Sequence, residues 1–390
     1  MKRWITLFMI VAMVFTMAAC GNEQGDPIEA DPEEAITEEG PQGEAEYLLE
    51  EYENAVNSAD MKGFLALLSE NYAEDVSRYN MEYSGPHRMG NVEIGEPVRM
   101  SNEFSLGSVW FLQGLIDSHE AVETYLAEVN YKLEGISEGD KDEGNYDYIG
   151  LPYTTEKDRY LVFVMVKDQG DWKIDSVIKP HNLTEIVQKG LLNFEETKEG
   201  DLSTLELQLM EEKFPSVVYY KTDDGIEMDV SEVNGFFRSY YDKPEYIDLK
   251  EFIRYFGIRS WDASDEELKE LGELYERNTG NDLQTAVLDF APVVKYRKSD
   301  VDDVLMKYAG VTSDDLRLNV SDDFYYLEDY DAFYNFTTDF GPGTFEPDEG
   351  HVDGDTYTFI EYKNQYDLEK VKVIFLRDGD DYRIQSREKM

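Results

Sequence analysis

The sequence predicts an α+β protein of two domains, each with helices packed on an antiparallel sheet. In each half, apolar residues recurring at spacings of three and four precede runs of β-branched and aromatic residues. Strands and helices do not alternate, so no parallel sheet is built. A hairpin pattern of Asp and Gly closes both halves. At 41% hydrophobic and 13% aromatic, the chain is too apolar to stay disordered, and 390 residues exceed one comfortable core.

The expected order is a signal peptide over 1–19, an acidic flexible tether over 20–43 and a first α+β domain over 44–189. A linker or helical connection over 190–213 and a second α+β domain over 214–390 complete it. Residues 21–43 hold Gly, Pro and acids with almost nothing to bury. From Glu44, the spacing of Leu48, Leu49, Tyr52, Ala55 and Val56 predicts a helix. Ser58 or Asp60 caps a second helix carrying Phe64, Leu65, Leu67 and Leu68. Strands are expected over 92–100, 122–133 and 160–166, and residues 109–117 fit a helix or a buried strand equally.

The second half reverses the emphasis. Helices are predicted over 230–240, 248–256, 265–277, 283–288 and 301–308. Strands are predicted over 324–327, 332–337, 344–351, 356–362, 371–377 and 382–386. Lys167, Asp168, Asp171, Trp172, Lys173, Ile174 and Ser176 match Arg377, Asp378, Asp381, Tyr382, Arg383, Ile384 and Ser386 at a constant offset. Convergent hairpin design and a duplicated domain both account for the match.

Cys20 is the single cysteine, so neither an internal disulfide nor a Cys-based zinc cluster can form. It follows a basic end (Lys2, Arg3), an apolar run and the small pair Ala18-Ala19, the layout of a secretory signal. The stretch resembles a bacterial lipobox, with Met17 where leucine is usual. That resemblance implies lipidation of Cys20 by palmitate-like chains and a protein anchored on the extracytoplasmic face of the cell membrane. The formal net charge of -49 excludes nucleic acid as a partner and disfavours anionic lipid headgroups. Envelope proteins, peptides, neutral glycans and cations remain.

Two helices followed by strands that end in the hairpin Lys167-Asp-Gln-Gly-Asp-Trp-Lys-Ile resemble the NTF2-like α+β cone. That likeness spans about 44–180 and implies a bent sheet wrapping a helix beside a pocket. The second half is similar to an uncharacterised module of secreted Gram-positive, clostridia-like lipoproteins. The words that carry it are Val301-Asp-Asp-Val-Leu-Met-Lys-Tyr-Ala-Gly, Tyr326-Leu-Glu-Asp-Tyr-Asp-Ala-Phe-Tyr-Asn-Phe and Asp339-Phe-Gly-Pro-Gly-Thr-Phe. No catalytic residue comes with either resemblance.

No catalytic motif stands out. His87, His119, His181 and His351 lack a partner at helical spacing, and no serine elbow or phosphate-binding glycine loop is present. The segment ending at Asp248 and Glu251 fails as a calcium loop because Tyr240 and Glu245 occupy its acidic and glycine positions. Asp248 fits a helix cap better. A weak hard-cation candidate combines Asp348, Glu349, Asp353 and Asp355, a set suited to calcium; no other cofactor is expected. The candidate binding surface is Tyr330, Asp331, Tyr334, Phe340, Gly341 and Gly343, where aromatics flank a Gly-Pro-Gly loop. The expected function is a non-enzymatic binding module of the envelope. The alternatives are an envelope enzyme using carboxylates in the first-domain pocket and a divalent-cation-binding surface protein.

Overall fold

The computed structural model describes residues 44–58, 60–78, 89–101, 112–134, 154–180, 182–222, 225–254, 256, 261–289, 291–317, 325–336, 343–363 and 369–390. Cys20 and the segments expected to be a signal peptide and a tether lie outside them. The architecture is α+β, with helices packed on antiparallel sheets.

The first half opens with helices α1 (Glu44–Asn57), α2 (Met61–Leu67) and α3 (Glu70–Arg78). Asp60 caps α2, its carboxylate accepting from the Gly63 N–H at 2.9 Å. Strands β1 (Met89–Ile94) and β2 (Val98–Met100) follow, then α4 (Leu112–Ser118), β3 (Ala121–Glu134), β4 (Thr154–Asp168) and β5 (Asp171–Ile178). The expected strand over 92–100 is thus two strands. Helix wins over the described part of the ambiguous segment. The sheet runs β1-β3-β4-β5, with β2 on β3.

β4 explains its own sequence. Residues 161–166 are all buried, Leu161, Phe163 and Met165 toward α1 and α2, and Val162, Val164 and Val166 toward the opposite face. Successive side chains in a strand point to opposite faces, so a strand covered on both sides reads as a continuous apolar run.

The chain continues through α5 (Leu183–Gln188), β6 (Glu199–Asp201) and α6 (Thr204–Lys213). Ser203 and Glu206 form a capping box at the start of α6. Leu205 packs with the first half, whereas Leu207, Met210 and Phe214 enter the core of the second. The side-chain amide of Gln208 bonds both backbone groups of Tyr160, at 2.6 and 3.2 Å. The segment expected to be a connection therefore contributes to both cores, and β6 pairs with the second half's sheet.

That sheet is β6-β12-β13-β14-β15, with β12 at Glu349–Asp353, β13 at Thr356–Lys363, β14 at Glu369–Asp378 and β15 at Asp381–Lys389. The strand expected over 344–351 begins only at Glu349. One face carries Tyr357, Phe359, Val371, Val373, Phe375 and Ile384 into the core. Over it lie α6, α7 (Leu249–Arg254) and α9 (Lys298–Ala309), with α8 (Asp265–Thr279) completing the helices of this half. Asp248 caps α7, accepting from the Lys250 and Glu251 N–H groups.

The helix expected over 230–240 does not form. A hairpin of β7 (Val217–Thr222) and β8 (Gly225–Val230) ends there, and a short 3-10 turn, Asn234–Phe237, follows. Gly235 permits that turn, since a Cβ on it would sit 2.6 Å from the Phe252 carbonyl oxygen. Residues 284–288 form a π-type turn.

A third, three-stranded sheet has the order β10-β11-β9, from β9 (Val293–Arg297), β10 (Tyr325–Leu327) and β11 (Ala332–Phe336). Tyr296 and Phe333 face the main core. Tyr325, Leu327, Ala332 and Tyr334 face a separate cluster with Leu271 and Leu283.

The sequence echo has a structural counterpart. The ladder of β4 and β5 slips between Val164↔Ser176 and Met165↔Ile174, leaving Asp175 bulged. That of β14 and β15 slips between Ile374↔Ser386 and Phe375↔Ile384, leaving Gln385 bulged. These positions fall in the register the sequence match defines. Both bulges follow a buried isoleucine, and each adds local twist where the sheet must curl over its helices.

Candidate functional site

The richest assembly of polar and aromatic side chains lies where α8 begins against β9 and β11. Ser264 and Glu267 form a capping box: Glu267 Oε2 accepts from the Ser264 N–H at 2.7 Å, and Ser264 Oγ accepts from the Glu267 N–H at 3.2 Å. The other oxygen of Glu267 meets the Lys295 ammonium and accepts from the Tyr334 hydroxyl at 2.5 Å. Register places Lys295 and Tyr334 opposite one another on β9 and β11. Glu267 is only 3% exposed.

Burial would raise the Glu267 carboxyl. Lys295, the Ser264 N–H and the Tyr334 hydroxyl outweigh it and hold the group at about 2. Burial first, then the hydrogen bond to Glu267, pushes the Tyr334 hydroxyl well above the ordinary tyrosine range. Glu267, Lys295 and Tyr334 thus form one buried, ion-paired network.

Its rim is accessible. Trp261 is 40% exposed and bridges β9 through mutual backbone hydrogen bonds with Lys295, at 3.0 and 3.3 Å. The Arg297 guanidinium stands 3.6 Å from the Trp261 ring centroid. Between β10 and β11 the chain turns through Glu328–Tyr330 into Asp331, whose φ of 45° is left-handed. The Asp331 carboxylate accepts from the Tyr326 hydroxyl at 2.7 Å, which pushes that phenol up to about 12. The Asp331 carbonyl accepts from the Lys298 N–H at 2.9 Å.

The predicted surface therefore divides. Tyr330 and Asp331 lie on this rim, half-buried and exposed. Tyr334 does not: it is 0% exposed and belongs to the core, because its register points it at Glu267. Gly343 is elsewhere, packed on the turn Asn234–Phe237, where a Cβ would meet the Asn234 carbonyl oxygen and lie 2.8 Å from the Phe237 carbonyl carbon. Phe340 and Gly341 lie outside the described residues. Trp261 and Arg297 escaped sequence reasoning, since the bridge that brings residue 261 to 295 has no local signature.

The four acids considered for a cation do not gather. Asp348 accepts from the Tyr362 N–H at 2.8 Å, Glu349 accepts from the Tyr362 hydroxyl, and Asp353 and Asp355 flank the exposed turn between β12 and β13. Among the described residues no group of three or more His, Cys, Asp or Glu is arranged to hold a metal ion.

A second polar cluster joins the halves. Arg159, 3% exposed on β4, meets Glu211 of α6 at 3.1 Å and donates to the Pro347 carbonyl at 3.3 Å. Lys179 bridges Glu211 and Glu346 at 3.0 and 3.6 Å. Both cations face carboxylates, so the cluster fastens one half to the other.

No protein-family model matches the chain, and no curated protein does. One solved structure it is similar to is described as an "Ntf2 like protein involved in plasmid conjugation". The alignment has 9% identity and covers 87% of this chain and 89% of that one. Its TM-score of 0.16 is too low to carry an argument.

Proposed function

We propose that this protein is a non-enzymatic binding module held by a lipid on Cys20 at the outer face of the membrane. Recognition falls to the Trp261–Arg297 pair, with Tyr330 on the same face of the three-stranded sheet. The observation that carries the reading is this pair: an exposed indole under an exposed guanidinium, the composition favoured where proteins meet peptides or glycans. The first half is read as an NTF2-like scaffold, supported by α1 and α2 packed on one face of the antiparallel meander β1-β3-β4-β5.

Against an envelope enzyme stands the placement of buried acid. Among the described residues the buried carboxylates are Glu206, Glu267 and Glu361, none of them in the first half's sheet. Glu206 is engaged in the cap of α6 and Glu267 with Lys295, whereas Glu361 accepts from the Glu346 N–H through one oxygen and keeps the other 3.8 Å from Arg387 Nε.

Cys20→Ala is expected to move the protein from the membrane fraction to the soluble one. Cross-linking in intact envelopes should recover a peptide or glycan component that Trp261→Ala no longer captures. Retention of Cys20→Ala in the membrane overturns the anchor, and undiminished capture by Trp261→Ala overturns the rim.

A further inference from the structure

Resting on that reading of the rim, we infer that Arg297, stacked on Trp261, is a receptor for a single carboxylate on an otherwise uncharged ligand. The chain carries 85 acidic residues against 36 Lys and Arg, and its buried or half-buried cations nearby are taken. Lys295 holds Glu267, and Lys298 holds Asp302 and Asp314. Arg297 is exposed, and among the described residues no carboxylate lies within 4 Å of its guanidinium.

The pair is built to stay where it is. Trp261 is pinned by backbone hydrogen bonds to Lys295, two residues before Arg297 on the same strand, and Lys295 is locked by Glu267. Stacking on the indole covers one guanidinium face and leaves its N–H edge free. That edge matches a carboxylate with two parallel hydrogen bonds, and a preorganised fork loses less freedom on binding than a free side chain. The net charge of -49 limits the ligand: a polyanion is repelled by the surrounding surface, whereas one carboxylate on a neutral body is held at short range. Two sources carry this group, the free C-terminus of an uncharged peptide and a sugar acid on a neutral glycan.

Calorimetric titration of the full chain would use four probes: an acetylated neutral tripeptide with a free C-terminus, its C-terminal amide, glucuronic acid and glucose. One acid should bind at least tenfold more tightly than its uncharged counterpart, and which acid does so identifies the source. Arg297→Gln should abolish that preference and Arg297→Lys should weaken it about tenfold, with the fold kept and melting lowered only by the loss of the stacking on Trp261, because neither touches Glu267. Equal binding of acid and uncharged partner, no binding of either acid, or a preference that survives Arg297→Gln overturns the inference. Capture of an envelope component that survives Arg297→Gln but fails with Trp261→Ala would leave the rim standing and remove only the carboxylate.

Discussion

Replacing Lys295 by Met leaves the Glu267 carboxylate, 3% exposed, facing Tyr334 and Ser264 without its cation. In the folded protein that carboxyl titrates at about 2 against an ordinary 4.5, so its ionised form is favoured by about 3 kcal/mol. The folded value is the lower one. The contribution is therefore complete above pH 4.5 and is lost as the pH falls toward 2. Breaking a buried pair by removing one partner costs about 3–5 kcal/mol. The Lys295 side chain keeps 18% exposure, which places Lys295→Met near the lower end, about 3 kcal/mol at pH 7. At pH 3 the unfolded chain already protonates Glu267, so the wild type has lost about 2 kcal/mol of the contribution and the deficit should shrink to about 1 kcal/mol. Urea unfolding of both proteins at the two pH values measures this, because the other carboxylates cancel in the difference. A deficit below about 1 kcal/mol at pH 7, or one unchanged at pH 3, would refute the assignment of Glu267 as a charge held by Lys295.

Gly343→Ala should cost about 1–3 kcal/mol in urea unfolding, because the added methyl meets backbone at Asn234 and Phe237 rather than a side chain that can swing away; a neutral result would mean that the turn shifts freely. A fragment beginning at Glu199 should melt cooperatively at a higher temperature than one beginning at Phe214. The shorter piece loses β6 and the buried Leu207 and Met210, and equal melting points would remove α6 from the second core.

How much was legible in the sequence follows from how local each signal is. Strand β4 and the hairpins that follow β4 and β14 announced themselves because their pattern repeats within a few residues. The helix expected over 230–240 was misread because Val230, Val233, Phe236, Phe237 and Tyr240 sit at helical spacing. There the spacing records a tightly buried turn, with Phe236 edge-on to Phe252 at 4.9 Å. Residues 344–348 looked like strand because Phe345 is buried, but its ring fills the core from a connection. Of the candidate site, the turn at Tyr330 and Asp331 could be seen in the sequence. The depth of Tyr334 and the meeting of Trp261 with Arg297 could not, since both depend on pairings across tens of residues.

Helix α6 sends Leu205 into one core and Leu207, Met210 and Phe214 into the other. One residue inserted within it would turn everything beyond by about 100°, offering each core the side chains meant for its neighbour. Loops on either side can absorb a change in length; these ten residues cannot do so without turning one core's side chains away. The two halves are thereby denied independent careers, and neither can be shuffled into another protein without carrying away part of the other. A ligand long enough to touch both would find a fixed span between them, set by the pitch of one helix like the gap of a caliper.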